Sequence, residues 1–137
     1  MMRYLSRRTF LVSLTAATAA RWPGALAALP AMHTRLISAG GERLPVIGMG
    51  SYITFNVGRD RTMRDARASV LQAFFDAGGA LVDSSPMYGS SEAVIGYGLG
   101  RAADRGRLFS ATKVWTPLQS HGIAQMKKSE TLWGEKR

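Results

Sequence analysis

The chain of 137 residues contains no cysteine and only two histidines, His33 and His121, far apart in sequence. Without thiols it forms no disulfide, binds no metal through thiolate and offers no cysteine to a lipid anchor, and two distant histidines make no metal pair. Acidic residues are also scarce, 9 against 18 lysines and arginines, for a formal charge of +9. That sign would suit nucleic acid, but no basic run is longer than Arg7-Arg8 or Lys127-Lys128, and dispersed charge is a solvated surface. Missing too is an apolar run of the roughly 20 residues needed to cross a bilayer as a helix. The stretch Leu11 to Ala20 is followed by Arg21, so a permanent membrane span is not expected. What remains, 46% hydrophobic and 20% charged residues, is the composition of one globular domain.

The first residues form an address. Ser6-Arg7-Arg8-Thr9-Phe10-Leu11 opens the apolar stretch, and Ala25-Leu26-Ala27 is a small-x-small cleavage candidate, the basic, apolar, small order of a signal peptide. The arginine pair followed by Phe10-Leu11 resembles the bacterial twin-arginine signal. This resemblance implies a removable signal over residues 1–27, the twin-arginine translocation machinery as a partner, and a soluble periplasmic or exported product. Substrates of that route typically travel folded, often with a cofactor loaded, which favours a redox enzyme. Removal takes Arg3, Arg7, Arg8 and Arg21 from the 18 basic residues, leaving 14 against 9 acidic ones.

Residues 28–137 alternate between strand and helix signals. Thr34-Arg35-Leu36-Ile37 and Leu44-Pro45-Val46-Ile47 flank Ser38-Ala39-Gly40-Gly41-Glu42, whose glycines suit a hairpin turn. Arg61 to Ala77 puts Met63, Ala66, Val70, Leu71, Phe74 and Phe75 on one helical stripe, with Asp60 as N-cap, Gly78-Gly79 as stop and both phenylalanines in the core. Ala80-Leu81-Val82 reads as a buried strand, Ser91 to Leu99 as a helix ended by Gly100, and Leu108 to Val114 as a strand. Ser120 is a cap candidate for a third helix with Ile123, Met126 and Leu132 on one side.

Such alternation predicts an α/β fold with a parallel sheet, either doubly wound or a (β/α)8 barrel. The dinucleotide fingerprint of the first option is not present: Gly48-Met49-Gly50 lacks the third glycine, and Gly96-Tyr97-Gly98-Leu99-Gly100 closes a helix instead of opening one.

Asp83, Tyr88 and Lys113 each fall at or just beyond the carboxyl end of an expected strand, where barrels place catalytic side chains. A free phenol titrates near about 10, too high for easy proton donation at neutrality, and a neighbouring ammonium favours the phenolate. Lys113 carries such a charge and Asp83 can hold it by a charge-assisted hydrogen bond, a relay with Tyr88 as general acid. Spacing alone favours an ordinary surface ion pair beside a loop tyrosine.

The local sequence decides otherwise. Asp83-Ser84-Ser85-Pro86-Met87-Tyr88-Gly89-Ser90-Ser91-Glu92-Ala93-Val94-Ile95-Gly96 closely resembles the aldo-keto reductase signature, in which Asp and Tyr are followed by Gly-x-Ser-Glu and a helix. Leu44 to Tyr52 resembles that family's first barrel strand and Ala111-Thr112-Lys113-Val114-Trp115 the strand bearing its catalytic lysine. The resemblance spans Thr34 to the end. It implies an incomplete (β/α)8 TIM barrel with an N-terminal hairpin and about three βα units, and an NAD(P)H-dependent reductase of small-molecule aldehydes or ketones. In it Asp83, Tyr88 and Lys113 would be catalytic, Tyr88 protonating a carbonyl while a nicotinamide cofactor delivers hydride. Gly50, Ser51 and Tyr52 would lie beside cofactor or substrate. Tyr52 and Trp115 suit an apolar substrate pocket and suit packing equally. The resemblance favours NADPH over NADH and involves no metal, although no residue in the chain reads a ribose phosphate.

The family's fourth catalytic residue, a histidine on the next strand, has no counterpart beyond His121, and Glu130 to Arg137 resembles the end of the helix before that strand. The expectation is therefore an amino-terminal portion, inactive alone and marginal in isolation, because an open barrel edge leaves apolar faces and unpaired backbone exposed. A non-catalytic truncated product, or a regulatory or binding protein on the same fold, is the alternative. The catalytic set favours chemistry, which a scaffold does not need.

Overall fold

The computed structural model describes residues 32–37, 41–104 and 108–135. The twin-arginine motif, the cleavage candidate Ala25-Leu26-Ala27 and the turn residues Ser38, Ala39 and Gly40 lie outside the described residues. Strands β1 (Thr34–Leu36) and β2 (Arg43–Pro45) pair antiparallel, Arg35 opposite Leu44, as the expected hairpin. The ladder is shorter than its apolar runs. One further bond past Pro45, from the Val46 N–H to the His33 carbonyl at 2.9 Å, closes it, and Val46 and Ile47 are about half exposed.

Three short strands, β3 (Met49–Gly50), β4 (Leu81–Asp83) and β5 (Phe109–Ala111), form a parallel sheet in that order. Crossovers are made by α1 (Arg61–Asp76) between β3 and β4 and α2 (Ser91–Leu99) between β4 and β5, and α3 (Gln119–Trp133) follows β5. This is the βαβ succession of a barrel, without closure among the described residues. The strand expected over Leu108–Val114 pairs only from Phe109 to Ala111, because the chain beyond turns to serve the site.

Helix α1 starts where the sequence placed it: the Asp60 carboxylate accepts from the Met63 N–H at 3.0 Å. Its inward face carries Leu71 and Phe75, with Phe74 partly buried, whereas Met63, Ala66 and Val70 turn outward. Arg64, Arg67 and Ala68, partly covered, lie along the same side outside the core cluster. With Val82, Val94, Ile95, Leu99, Phe55 and Trp133 these residues make one core cluster. Full burial of each Leu, Ile or Val is worth about 1.5–3 kcal/mol.

Helix α3 departs most from expectation. It begins at Gln119 with Leu118 in the capping position, so Ser120 lies inside it and caps nothing. Ile123 and Met126 are about half exposed, and the buried positions are Gly122, Ser129 and Trp133. Small and polar residues face inward because a close backbone approach and a buried carboxylate lie there: an added Cβ on Gly122 would touch Val114 Cγ1 at 3.0 Å, and Ser129 and Trp133 both donate to Glu92.

Candidate active site

The carboxyl ends of the parallel strands are aligned: Gly50 lies opposite Asp83, and Asp83 opposite Ala111. Three chain exits thus emerge side by side at the edge where such sheets hold their ligands. Backbone bonds fasten them further, Ser51 N–H to the Asp83 carbonyl at 3.1 Å and Ser84 N–H to the Ala111 carbonyl at 2.9 Å.

Two residues past Ala111, the Lys113 ammonium donates to both carboxylate oxygens of Asp83, each at 2.8 Å, and to the Ser84 carbonyl at 3.1 Å. The hydrogen bond to Asp83 holds Lys113 above the usual lysine range, with partial desolvation opposing. The ring of Tyr88 lies 5.2 Å from the same nitrogen. Sequence distance is thereby erased for the three residues expected to work together. Their side chains remain accessible, 45% for Lys113 and 40% for Asp83, so the pair adds at most about 1 kcal/mol to stability.

Tyr88 is presented by a tight turn. The Tyr88 N–H donates to the Ser85 carbonyl at 3.0 Å, and the Tyr88 carbonyl accepts from the Ser91 N–H at 3.1 Å. Gly89 has φ +60°, and a side chain there would also collide with Asn56. The Asn56 side-chain oxygen accepts from the Ser90 N–H at 2.9 Å and the Ser90 hydroxyl at 3.0 Å, tying this turn to the loop after β3. In that loop Ile53 takes φ +61°, a strained conformation for a β-branched residue, directly after Tyr52.

Of the three residues placed beside cofactor or substrate, Gly50 borders open space: a Cβ added there would meet nothing within 4 Å. Tyr52 is 62% exposed, with its ring centroid 4.9 Å from that of Tyr88. Ser51 is fully buried and its hydroxyl donates inward to the Asp83 carbonyl at 2.9 Å, fastening β3 to β4 instead of facing the open space. Among the described residues no His, Asp and Glu side chains gather into a metal-binding group, and no helix is long and apolar enough to cross a membrane.

The sequence model of the aldo/keto reductase family matches residues 46–132. The chain belongs to the aldo/keto reductase family. No curated protein gave a significant match. Among solved structures, a protein from Pseudomonas aeruginosa described as an aldo-keto reductase superimposes with a TM-score of 0.64 at 22% identity, over 80% of this chain and 46% of that one. An aldo-keto reductase from Klebsiella pneumoniae, in complex with NADPH, gives 0.59 at 20% identity, over 70% of this chain and 34% of that one. A thermostable aldo-keto reductase solved with the inhibitor epalrestat gives 0.64 at 21% identity. At these identities the likeness is one of fold, and the chain spans under half the length of each.

Within this aldo-keto reductase, Trp115 is 69% exposed and packs into no core, and its backbone is gripped by Gln125: the Trp115 N–H donates to Oε1 at 2.8 Å and its carbonyl accepts from Nε2 at 3.1 Å. Tyr52 and Trp115 are thus both exposed among the described residues, Tyr52 with its ring against that of Tyr88. Sequence reading passed over two residues that shape the site, Asn56 and Glu92. Asn56 lies in an unpatterned loop and carried no signal. Glu92 did, as the acidic residue of Gly89-Ser90-Ser91-Glu92, although its burial, 4% exposed, is visible only in the fold.

Proposed function

We propose that the protein is an NADPH-dependent reductase of small aldehydes or ketones, with Tyr88 as the proton donor. The observation that carries this reading is the Lys113 ammonium, bonded to both oxygens of Asp83 and lying beside the Tyr88 ring. Such a cation favours the phenolate left when a tyrosine gives up its proton, and Asp83 keeps the lysine charged and aimed. When bound, the nicotinamide nucleotide supplies a hydride to the carbonyl carbon. The hydroxyl proton of Tyr88 passes to the carbonyl oxygen, and the resulting phenolate is stabilised by Lys113 until solvent returns the proton.

The residues present fit a flat cofactor ring. Gly50 leaves open space at the end of β3, and the exposed Tyr52 ring stands against Tyr88 to wall one side. Ser51, buried beneath, fastens β3 to β4 through the Asp83 carbonyl. Trp115 and Tyr52 offer an apolar surface to the substrate's carbon skeleton. The twin-arginine motif supports export of this reductase to the periplasm. Replacing Tyr88 by Phe in the full-length gene product is expected to abolish NADPH oxidation driven by a panel of aldehydes while leaving the protein folded. Undiminished reduction by Y88F would remove Tyr88 from its role.

A further inference from the structure

Glu92 is a carboxylate at the first turn of α2, 4% exposed, in a position the reaction itself does not use. Its Oε1 accepts from the Thr112 hydroxyl at 2.7 Å and the Trp133 indole N–H at 3.3 Å, and its Oε2 from the Ser129 hydroxyl at 3.1 Å. All three donors are neutral. A buried anion is costly unless its lone pairs are filled, and here the fixed N–H dipoles at the amino end of α2 add to the three donors. An apolar residue would fill the same volume without that cost, so the carboxylate is explained by what it holds.

What it holds is the stretch between Ala111 and Trp115. Thr112 stands between Ala111, the last residue of β5, and Lys113. Successive side chains of extended chain point to opposite faces. With Thr112 reaching outward to α2, Lys113 reaches back to Asp83. The stretch is pinned at three places: the Ala111 carbonyl by the Ser84 N–H, the Thr112 hydroxyl by Glu92, and the Trp115 backbone by Gln125. Only the middle pin adjoins the lysine. Fixing the root of a long flexible side chain lowers the rotamer entropy lost in holding its 2.8 Å contacts at the far end.

We propose that Glu92 is a positioning residue, which fixes the exit of β5 through Thr112 and thereby sets the Lys113 ammonium between Asp83 and Tyr88. This rests on the reductase reading for its catalytic consequence, though not for its geometry. Substituting Glu92 itself removes a charge along with a bond, so the decisive variant is Thr112→Val, which keeps the carboxylate and its bonds to α3.

The test is a titration of Lys113 by its 13Cε resonance in lysine-labelled full-length gene product, assigned with Lys113→Arg, alongside steady-state kinetics. Thr112→Val is expected to move the Lys113 midpoint down toward an ordinary lysine. It should also lower kcat about tenfold or more, the scale of a small misplacement, with KM little changed. Thr112→Ser, which keeps the hydroxyl, is expected to restore both. Ser129→Ala loosens only the α3 side and should lower the denaturation midpoint while leaving the Lys113 titration in place. A Thr112→Val protein whose Lys113 titrates as in the wild type overturns the proposal, even if Y88F shows the reductase reading to be right. If no carbonyl is reduced but Thr112→Val still shifts Lys113, the positioning role stands and the reductase reading falls.

Discussion

Replacing Gly96 and Gly100 by alanine, one at a time, should change stability in opposite directions although both glycines sit at the end of one helix. A Cβ built on Gly96 runs into the Leu132 carbonyl oxygen, with the carbonyl carbon at 2.8 Å and Trp133 Cα at 3.4 Å. These are backbone atoms, which cannot rotate aside. Relief requires α3 to withdraw from α2, and a gap of about 0.5–1 Å already forfeits a quarter to a half of each contact's dispersion energy. Withdrawal also stretches the Ser129 and Trp133 bonds to Glu92. Overpacking of this kind costs about 1–3 kcal/mol, and alanine's better helix propensity returns at most about 1 kcal/mol. With the network strained the upper part of the range applies, for a net loss of about 2 kcal/mol. At Gly100 the backbone is already right-handed helical, φ −63° and ψ −12°, and the added Cβ meets the Gly96 oxygen at an ordinary 3.5 Å. There G100A should gain about 0.5–1 kcal/mol by narrowing the unfolded ensemble. Urea denaturation of the full-length gene product reads both. With a slope of about 2 kcal/mol/M, G96A should lower the midpoint by about 1 M and G100A raise it by a few tenths. A G96A protein as stable as the wild type would show that α3 does not press on α2 at this point.

Two further outcomes bear on the charge pair and on the chain's destination. Lys113 titrates above its unfolded value because of its bond to Asp83, so the pair's contribution is complete below about pH 10.4 and is lost as pH rises through the folded value. From about pH 9 to about pH 12 the wild type should therefore lose more stability than D83N, by less than about 1 kcal/mol because the pair is half exposed; equal losses, read from urea midpoints at both pH values, would contradict the assignment. Replacing Arg7 and Arg8 together by lysine should leave the protein in the cytoplasmic fraction of its host, and a mature-sized protein still found in the periplasm would rule out the twin-arginine route.

Helices α1 and α2 were legible almost to the residue, from the Asp60 cap that starts one and the glycines that follow each, Gly78-Gly79 and Gly100, although the Ser90 cap of α2 makes no side-chain bond. The meeting of Asp83 with Lys113 was legible too, since parallel strands in register must bring their carboxyl ends together. The inner face of α3 was legible only at Leu132, which packs against the core, and not at Ile123 or Met126. An apolar stripe is read on the premise that the core wants hydrocarbon, and the core beside α3 wants hydrogen-bond donors for Glu92. Strand lengths misled for a related reason: the β-prone stretch from Leu108 to Val114 suggests one strand, but pairing ends at Ala111, where the Thr112 hydroxyl bonds to Glu92 instead. The contact of Tyr52 with Tyr88 lies beside the positive φ of Ile53, which no propensity foretells.

The signature from Asp83 to Gly96 therefore contains two kinds of residue, and they separate a working reductase from a scaffold on the same fold. Ser90 and Gly96 answer to packing, one tying two loops through Asn56 and the other letting α3 approach, whereas Glu92 bonds to α3 and holds the exit of β5 through Thr112. A protein that used this fold only to present a surface would still need Ser90 and Gly96. It would not need Asp83, Tyr88 or Lys113. The exposed ion pair contributes at most about 1 kcal/mol, and a partly exposed tyrosine on a turn could be many residues at no cost to the fold. Their combination, with the lysine bonded to both carboxylate oxygens and set beside the phenol ring, exceeds what stability asks of these positions. That excess is the argument for chemistry, and it makes Y88F informative in both directions: a variant with unchanged denaturation midpoint and no reductase activity is what a residue kept for reaction alone must give.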